Sequence, residues 1–442
     1  MAIYLKENLA FFLLLILWTV VGIYTGLASY ALIGVSIIAL MSKEKYAEIL
    51  LGFWLILMFS DSHFHIFDFA KSFKPAYMSI MAFVVVVHRN RIMKGNNMIF
   101  QLFIPFFVWS FLIMYRSPEL STTVQKTLSY AFLFYSIPFL MRFLLTEKQS
   151  QTFRTFYFII MSYLVIGLVM RYVDQDFSHL VGRFRGIMGN PNGLGVLTLM
   201  IALLFDTIFN KVPSQFSRQE KIFFWIVIFL NLILSQSRSS LFALLLYLFF
   251  SNFKILKGFI GFLVFMSILF SYQLVMNNLP FIIETLGLQE FFRLDTLEGG
   301  SGRLIAWTFA WEQIQEDFFI GGGFNYTEWF YGENYNFLSN LGHQGNAHNS
   351  WLTFWLDTGL IGLILYVLAF ILMFIRIAKV YFNAIPVMYA IIFSVSLESW
   401  LTASLNPFTV ALLLTLSVML YGHDKTSIEP ESEPIPEQAE EA

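Results

Sequence analysis

The sequence predicts an all-α, polytopic bundle of transmembrane helices, and three observations carry that reading. Apolar runs recur from Asn8 to His423 with one long interruption. Of the 442 residues, 57% are hydrophobic and 13% charged, against about a quarter charged in an ordinary soluble domain. The mean hydropathy is +0.68. So little polar surface cannot dissolve a chain of this length.

Hydrocarbon offers no water to an unpaired backbone group, so each apolar run must cross as a helix of about 20 residues, fewer where its ends snorkel. Spans are expected near 9–24, 26–41, 46–60, 75–88, 98–115, 126–145, 155–172, 193–209, 222–235, 238–252, 256–275, 351–376, 386–402 and 406–421, about 12–14 in all. Residues 9–41 read either as two spans or as one long tilted helix, since only Gly26 and small neighbours separate the halves. The first run is far longer than a signal-peptide core and lacks a convincing cleavage site, so no processed leader is expected. Residues 1–423 read as one membrane domain, with 276–350 as a large loop inside it. Residues 424–442, containing EPESEPIPE, cannot bury enough apolar area to fold and read as a disordered, acidic cytoplasmic tail.

Composition also narrows the chemistry. With no cysteine there is no disulfide framework, thiolate zinc site or cysteine nucleophile. A net charge of −2 without a basic face argues against nucleic acid as a partner.

Orientation follows from the short loops that hold lysine and arginine, which favour the cytoplasmic side. Lys43 and Lys45, then Arg89, Arg91 and Lys94, then Lys148 and Arg154, then Lys211, Arg218 and Lys221, then Lys254 and Lys257, then Arg376 and Lys379 occupy every second loop. The stretch from Asn277 to Ser350 and the loops around His63, Pro118, Arg183 and Arg238 are therefore expected outside.

Arginines outside run against that bias and need a reason. Arg183 and Arg185 sit in GRFRGIMGNPNGLG, Arg238 in SQSRSS and Arg303 in GGSGRLIAW, all on the same expected face. A guanidinium stays charged at any biological pH and grips phosphate oxygens two at a time, so the group reads as an anion-binding cluster. Each arginine alone is equally well explained by an ion pair with an acid such as Glu298 or Glu312, or by snorkelling to lipid phosphate. The glycines with Asn190 and Asn192 beside Arg185 imply a tight turn at a helix start, where free N–H groups add to anion binding or simply receive a cap.

The long loop ends in GHQGNAHNSWLTFWLDTGLIG, placing His348 at a helix head near the interface, with His343 as the spare. Imidazole titrates near neutrality and suits a general base for an attacking hydroxyl, although a lone interfacial histidine also reads as a cap or surface residue. Asn349 joins Asn190, Asn192 and His343 as supporting residues. Residues 303–317 read as an amphipathic helix with Leu304, Trp307, Trp311 and Ile314 on one stripe, either a lid along the membrane or a plain surface helix.

Other motifs are weaker. Asp174 and Asp176 form a DQD triplet without the strand context of a nucleotide-sugar site. Asp61, His63, His65 and Asp68 lie in a loop, and histidines two apart fall on different helix sides, so no metal is expected. Gly321, Gly322 and Gly323 lack the lysine of a phosphate loop. Most of the 52 phenylalanines read as lipid-facing bulk.

Taken in order, GRFRGIMGNPNGLG, SQSRSSLFALL, SGRLIAWTFAWEQI with GGGF, and HNSWLTFWLDTGLIG resemble the O-antigen ligase and polymerase superfamily. His348, Asn349, nine residues, Gly359, two residues and Gly362 fit the ligase signature, and the resemblance runs from Gly182 to Gly362. It implies a GT-C-like bundle in the bacterial inner membrane, with its site on the periplasmic face. The implied activity is an inverting, metal-independent and cofactor-free glycosyl transfer from undecaprenyl-diphosphate-linked glycan. The acceptor would be lipid A core for a ligase, or a second lipid-linked repeat unit for a polymerase. It also implies that His348 is the base or acceptor-positioning group and that Arg185 and Arg303 are essential; Arg238 is added from the residues. Protein-glycosylating relatives usually carry a sizeable further outer domain, where this chain has a short acidic tail. From another class, a transporter or flippase would place charge within spans and often show internal repeats, whereas here charge gathers at one face.

Overall fold

The computed structural model describes residues 2–62, 64–285, 303–341 and 345–421; His63, His343, Glu298 and the 424–442 tail lie outside the described residues. Every expected span overlaps a helix, one of them only in part. The first eleven are α1 (Ala2–Tyr24), α2 (Gly26–Ser42), α3 (Tyr46–Ser60), α4 (Asp68–Val87), α5 (Met98–Ile113), α6 (Leu120–Glu147), α7 (Gln149–Val173), α8 (Pro191–Lys211), α9 (Arg218–Ser235), α10 (Arg238–Asn252) and α11 (Phe259–Thr285). In the long loop lie α12 (Arg303–Glu316) and α13 (Tyr326–Glu333), followed by α14 (Ser350–Ala378), α15 (Ala384–Val395) and α16 (Pro407–Tyr421). Helices α4 to α8 and α14 are long and apolar enough to cross a bilayer, and α1–α3, α11, α15 and α16 contain shorter apolar helical stretches. The protein is a multi-pass, all-α membrane protein, and its β-structure among the described residues is one ribbon, β1 (His179–Leu180) paired antiparallel with β2 (Arg183–Phe184).

Residues 9–41 are two helices. Thr25 breaks the chain with extended backbone, and Trp18 then donates its indole N–H to Ser36 Oγ at 3.2 Å, which requires α2 to fold back along α1. Helix α4 begins seven residues earlier than expected: Pro75 stands inside it, and Lys74 reaches the carbonyl of Leu405 at 3.4 Å. A proline within a membrane helix is tolerated when neighbouring elements satisfy the freed groups.

The basic loops gather on one face, where Arg91 pairs with Glu44, Arg154 with Glu220 at 3.4 Å, and Lys211 donates to Met419 O at 2.7 Å. The long loop and the expected site arginines lie at the other.

Two departures from regular helix shape that second face. Helix α14 is broken at Gly359, whose φ of 66° is left-handed. The loop just after α12 docks into the break: Gly322 and Gly323 donate to Leu356 O (3.0 Å) and Asp357 O (2.8 Å), while Leu360 and Ile361 donate to Phe318 O (2.9 Å) and Phe319 O (3.2 Å). A Cβ on Gly359 would stand 2.2 Å from Phe319 O, and one on Gly321 would stand 2.4 Å from Gly359 N. The glycines are what permit two backbones to approach so closely. Phe324, fully buried, follows them into the bundle core against Phe106 and Tyr130, each with ring centroids 5.5 Å away.

The second departure corrects the expected span 386–402, because α15 ends at Val395. Residues 396–406 are irregular apart from one 3-10 turn, Trp400–Thr402. Their backbone is paid for by side chains: Asn406 Nδ2 donates to Trp400 O (2.8 Å) and Ala403 O (2.7 Å), and Ser350 Oγ donates to Glu398 O at 2.8 Å. Irregular backbone at this depth is viable only where protein surrounds it in this way.

Candidate functional site

The site is built where the end of the long loop meets that irregular segment. GNAHNS at residues 345–350 divides its duties residue by residue. Asn349 caps α14, its Oδ1 accepting from the N–H groups of Trp351 (2.9 Å) and Leu352 (3.2 Å). Ser350 ties the helix head to the backbone of Glu398. His348 takes a left-handed backbone (φ 44°), held by Asn346 Oδ1 on its N–H at 2.7 Å. Such a conformation is costly for a residue with a side chain and persists where the surroundings impose it.

In that pose His348 Nδ1 lies 3.4 Å from Glu398 Oε2, and Arg303 Nη2 lies 3.0 Å from Glu398 Oε1. One nearly buried carboxylate thus joins two of the expected site residues. Arg238, the first residue of α10, is within electrostatic reach of Arg303, and both act on Tyr272 of α11, as does Glu398. Arg238, Arg303, His348, Glu398 and Tyr272 therefore form one cluster. Among the described residues the cluster holds two guanidiniums and one carboxylate, the latter paired with Arg303. Glu398 and Tyr272 were not anticipated: each lies in a stretch read as an apolar span.

Arg183 and Arg185 have other work. Arg183 donates to Ser235 O (2.9 Å) and Gln236 O (3.2 Å), at the last turn of α9, and to Asn192 Oδ1 (2.8 Å). Helix ends carry carbonyls without intrahelical partners, and a cation there is favourable. Arg185 is buried, stacks 4.7 Å from the Phe64 ring, and donates to the carbonyls of Phe177 (3.1 Å), Asp176 (3.2 Å) and Gly189 (3.3 Å). Burial pulls its guanidinium down from the ordinary arginine value. The helix start after these arginines is occupied by the chain itself: Asn190 Oδ1 caps Gly193 N at 2.7 Å and Asp61 Oδ2 accepts from Gly189 N at 3.3 Å. Asp174 caps a single turn, Gln175–Ser178, accepting from Phe177 N at 2.9 Å.

Helix α12, which begins at Arg303, buries Ala306, Ala310 and Ile314, while Trp311 is 42% exposed. The buried stripe is therefore shifted from the expected one, because the helix packs on α14 and α13 through its small residues. Trp307 donates to Ala347 O at 2.9 Å, tying the helix to the residue before His348.

A third group sits nearby. Asp357, fully buried in α14, accepts from Thr327 N and Thr327 Oγ1, and lies 3.4 Å from Lys126 Nζ of α6; Lys126 also reaches Glu328 Oε1 at 3.2 Å. The Lys126 ammonium holds the Glu328 carboxyl below the usual carboxylate range. Arg116, not among the expected site arginines, pairs with Asp317 and donates to Gly321 O at 2.9 Å. These contacts pin the loop to the bundle.

Among known families, residues 222–367 match the model described as O-antigen ligase. The matched stretch holds Arg238, Tyr272, Arg303 and His348 and leaves Arg183, Arg185 and Glu398 outside it. No curated protein matches the chain.

Proposed function

We propose that this chain, whose residues 222–367 match the O-antigen ligase family, is a membrane enzyme of the ligase and polymerase type that transfers glycan from an undecaprenyl-diphosphate donor to an acceptor hydroxyl at the periplasmic face of the bacterial inner membrane. The observation that carries this is the convergence of Arg303 and His348 on Glu398, with Arg238 within electrostatic reach of Arg303.

The chemistry follows from the groups. Glu398 on Nδ1 favours the tautomer with its proton there and leaves Nε2 as the basic nitrogen. The acceptor hydroxyl attacks the anomeric carbon and gives its proton to His348, as the bond to the diphosphate oxygen breaks with its electron pair on oxygen. Attack opposite the leaving group inverts the sugar, and Glu398 stabilises the imidazolium. Arg238 and Arg303 neutralise the charge that grows on the departing undecaprenyl diphosphate, a preorganised electrostatic role that needs no metal. Arg183 and Arg185 serve the site by holding the 176–193 loop against α9 and Phe64.

Ligase is the favoured branch, from the block running from His348 to Gly362, with lipid A core as acceptor. Arg303→Lys and His348→Ala should abolish transfer from lipid-linked glycan in membranes while the protein still accumulates; near-normal transfer by both variants refutes these roles. Deleting the gene and resolving surface glycan on a gel separates the branches: loss of all glycan attached to core means ligase, whereas one repeat still attached means polymerase.

A further inference from the structure

Tyr272 sits at the base of the charged cluster with its ring clamped on two sides. Phe393 of α15 meets it edge-on at 4.8 Å, and Phe242 of α10 lies 5.5 Å away. Phe242 is four residues after Arg238, hence on the same helix face, and Phe393 precedes Glu398 by five residues. The helix that presents Arg238 and the helix that leads into the Glu398 segment therefore fix this ring. A phenylalanine would meet that packing requirement equally well, so the hydroxyl needs a separate reason.

Its surroundings supply one. The nearby charged groups are Arg238, Arg303 and Glu398, and among the described residues none hydrogen-bonds the hydroxyl. Tyr272 is half-buried and its hydroxyl is not sealed in protein, so it opens toward the space beside the cluster. Guanidinium has no acceptor atom, so neither arginine can receive the phenolic proton. Glu398 is already engaged by Arg303 and His348. The donor is thus left beside two cations, where an anion's oxygen would lie.

We infer that Tyr272 contacts the substrate, donating its hydroxyl to a diphosphate oxygen held between Arg238 and Arg303; this rests on the function proposed above. The test uses the purified full chain and undecaprenyl diphosphate without glycan as probe, with binding and thermal unfolding measured for wild type and Tyr272→Phe. A hydrogen bond to a charged group implies a loss of about tenfold or more in affinity, with unfolding unchanged and a matching rise in KM for the donor. Wild-type affinity in the phenylalanine variant overturns the inference while leaving the diphosphate site standing. A phenylalanine variant that fails to accumulate also overturns it, by showing that the hydroxyl serves the fold. Failure of the wild-type chain to bind the lipid removes the diphosphate reading itself, and this inference with it.

Discussion

The Asp357 carboxylate accepts both the backbone N–H and the hydroxyl of Thr327, each at 2.7 Å. That pair of bonds fastens α13 to α14, and with Lys126 it is the interior end of the tether between the long loop and the bundle. A buried charge that loses its partner is expensive, so Asp357→Ala is expected to cost about 3–5 kcal/mol. Thermal unfolding in detergent measures this. Replacing Lys126 by Met and Asp357 by Leu together should recover part of the loss, since no buried charge is then left, and Glu328, which loses Lys126, keeps contact with solvent. A single substitution costing under about 1 kcal/mol would show that the tether is not the one described.

Gly359→Ala should separate the loop from the break in α14. The backbone of Gly359 (φ 66°, ψ −179°) is open essentially to glycine alone and costs another residue about 1–3 kcal/mol, and the added Cβ would collide with Phe319 O at 2.2 Å. Lower stability and lost transfer are expected together. Retained transfer would mean the docked loop is dispensable to the site.

Glu398→Gln keeps the shape of the clamp and removes its charge. Because a base works only when a third group orients it, kcat is expected to fall by about 10²-fold, with little change in unfolding temperature. An unaltered kcat would make Glu398 a structural acid only.

Arg185→Lys tests the division of labour among the arginines. Lysine cannot span the carbonyls of Phe177, Asp176 and Gly189 with one planar group, so the expected result is a lower unfolding temperature and an unchanged KM for the donor. A raised KM with unchanged stability would return Arg185 to the diphosphate.

The Lys126–Glu328 pair gives a pH signature. The folded Glu328 carboxyl titrates below its unfolded value, so its stabilisation is complete above the unfolded value of about 4.3. It is lost as pH falls through the lower, folded value. Unfolding temperatures of wild type and Glu328→Gln should therefore differ at neutral pH and converge in acid. Parallel curves down to the lowest pH would dismiss the pair.

The helices were legible because a bilayer imposes length and apolarity on each one separately, and Gln149–Val173 and Pro191–Lys211 show it. Arg238 and Arg303 stood out for a related reason, since charge on the expected outer face is disfavoured unless used, and His348 stood out as an imidazole at a helix head; the structure brings Arg303 and His348 onto one carboxylate. Glu398 was hidden inside SVSLESWLTASL, whose apolarity continues a span while its serines and the downstream Asn406 take over the backbone. Lys126 and Asp357 were hidden too, since charge was expected at one face rather than within α6 and α14. Nothing local marks Gly359 as a break either. A glycine is ordinary in a membrane helix, and the segment that fills the gap lies some 40 positions upstream.

Helix α14 and the segment from Phe318 to Phe324 share backbone bonds, so the loop is continuous with the bundle rather than hung from it. Access to the charged cluster cannot then arise by lifting this segment, which would tear open a span.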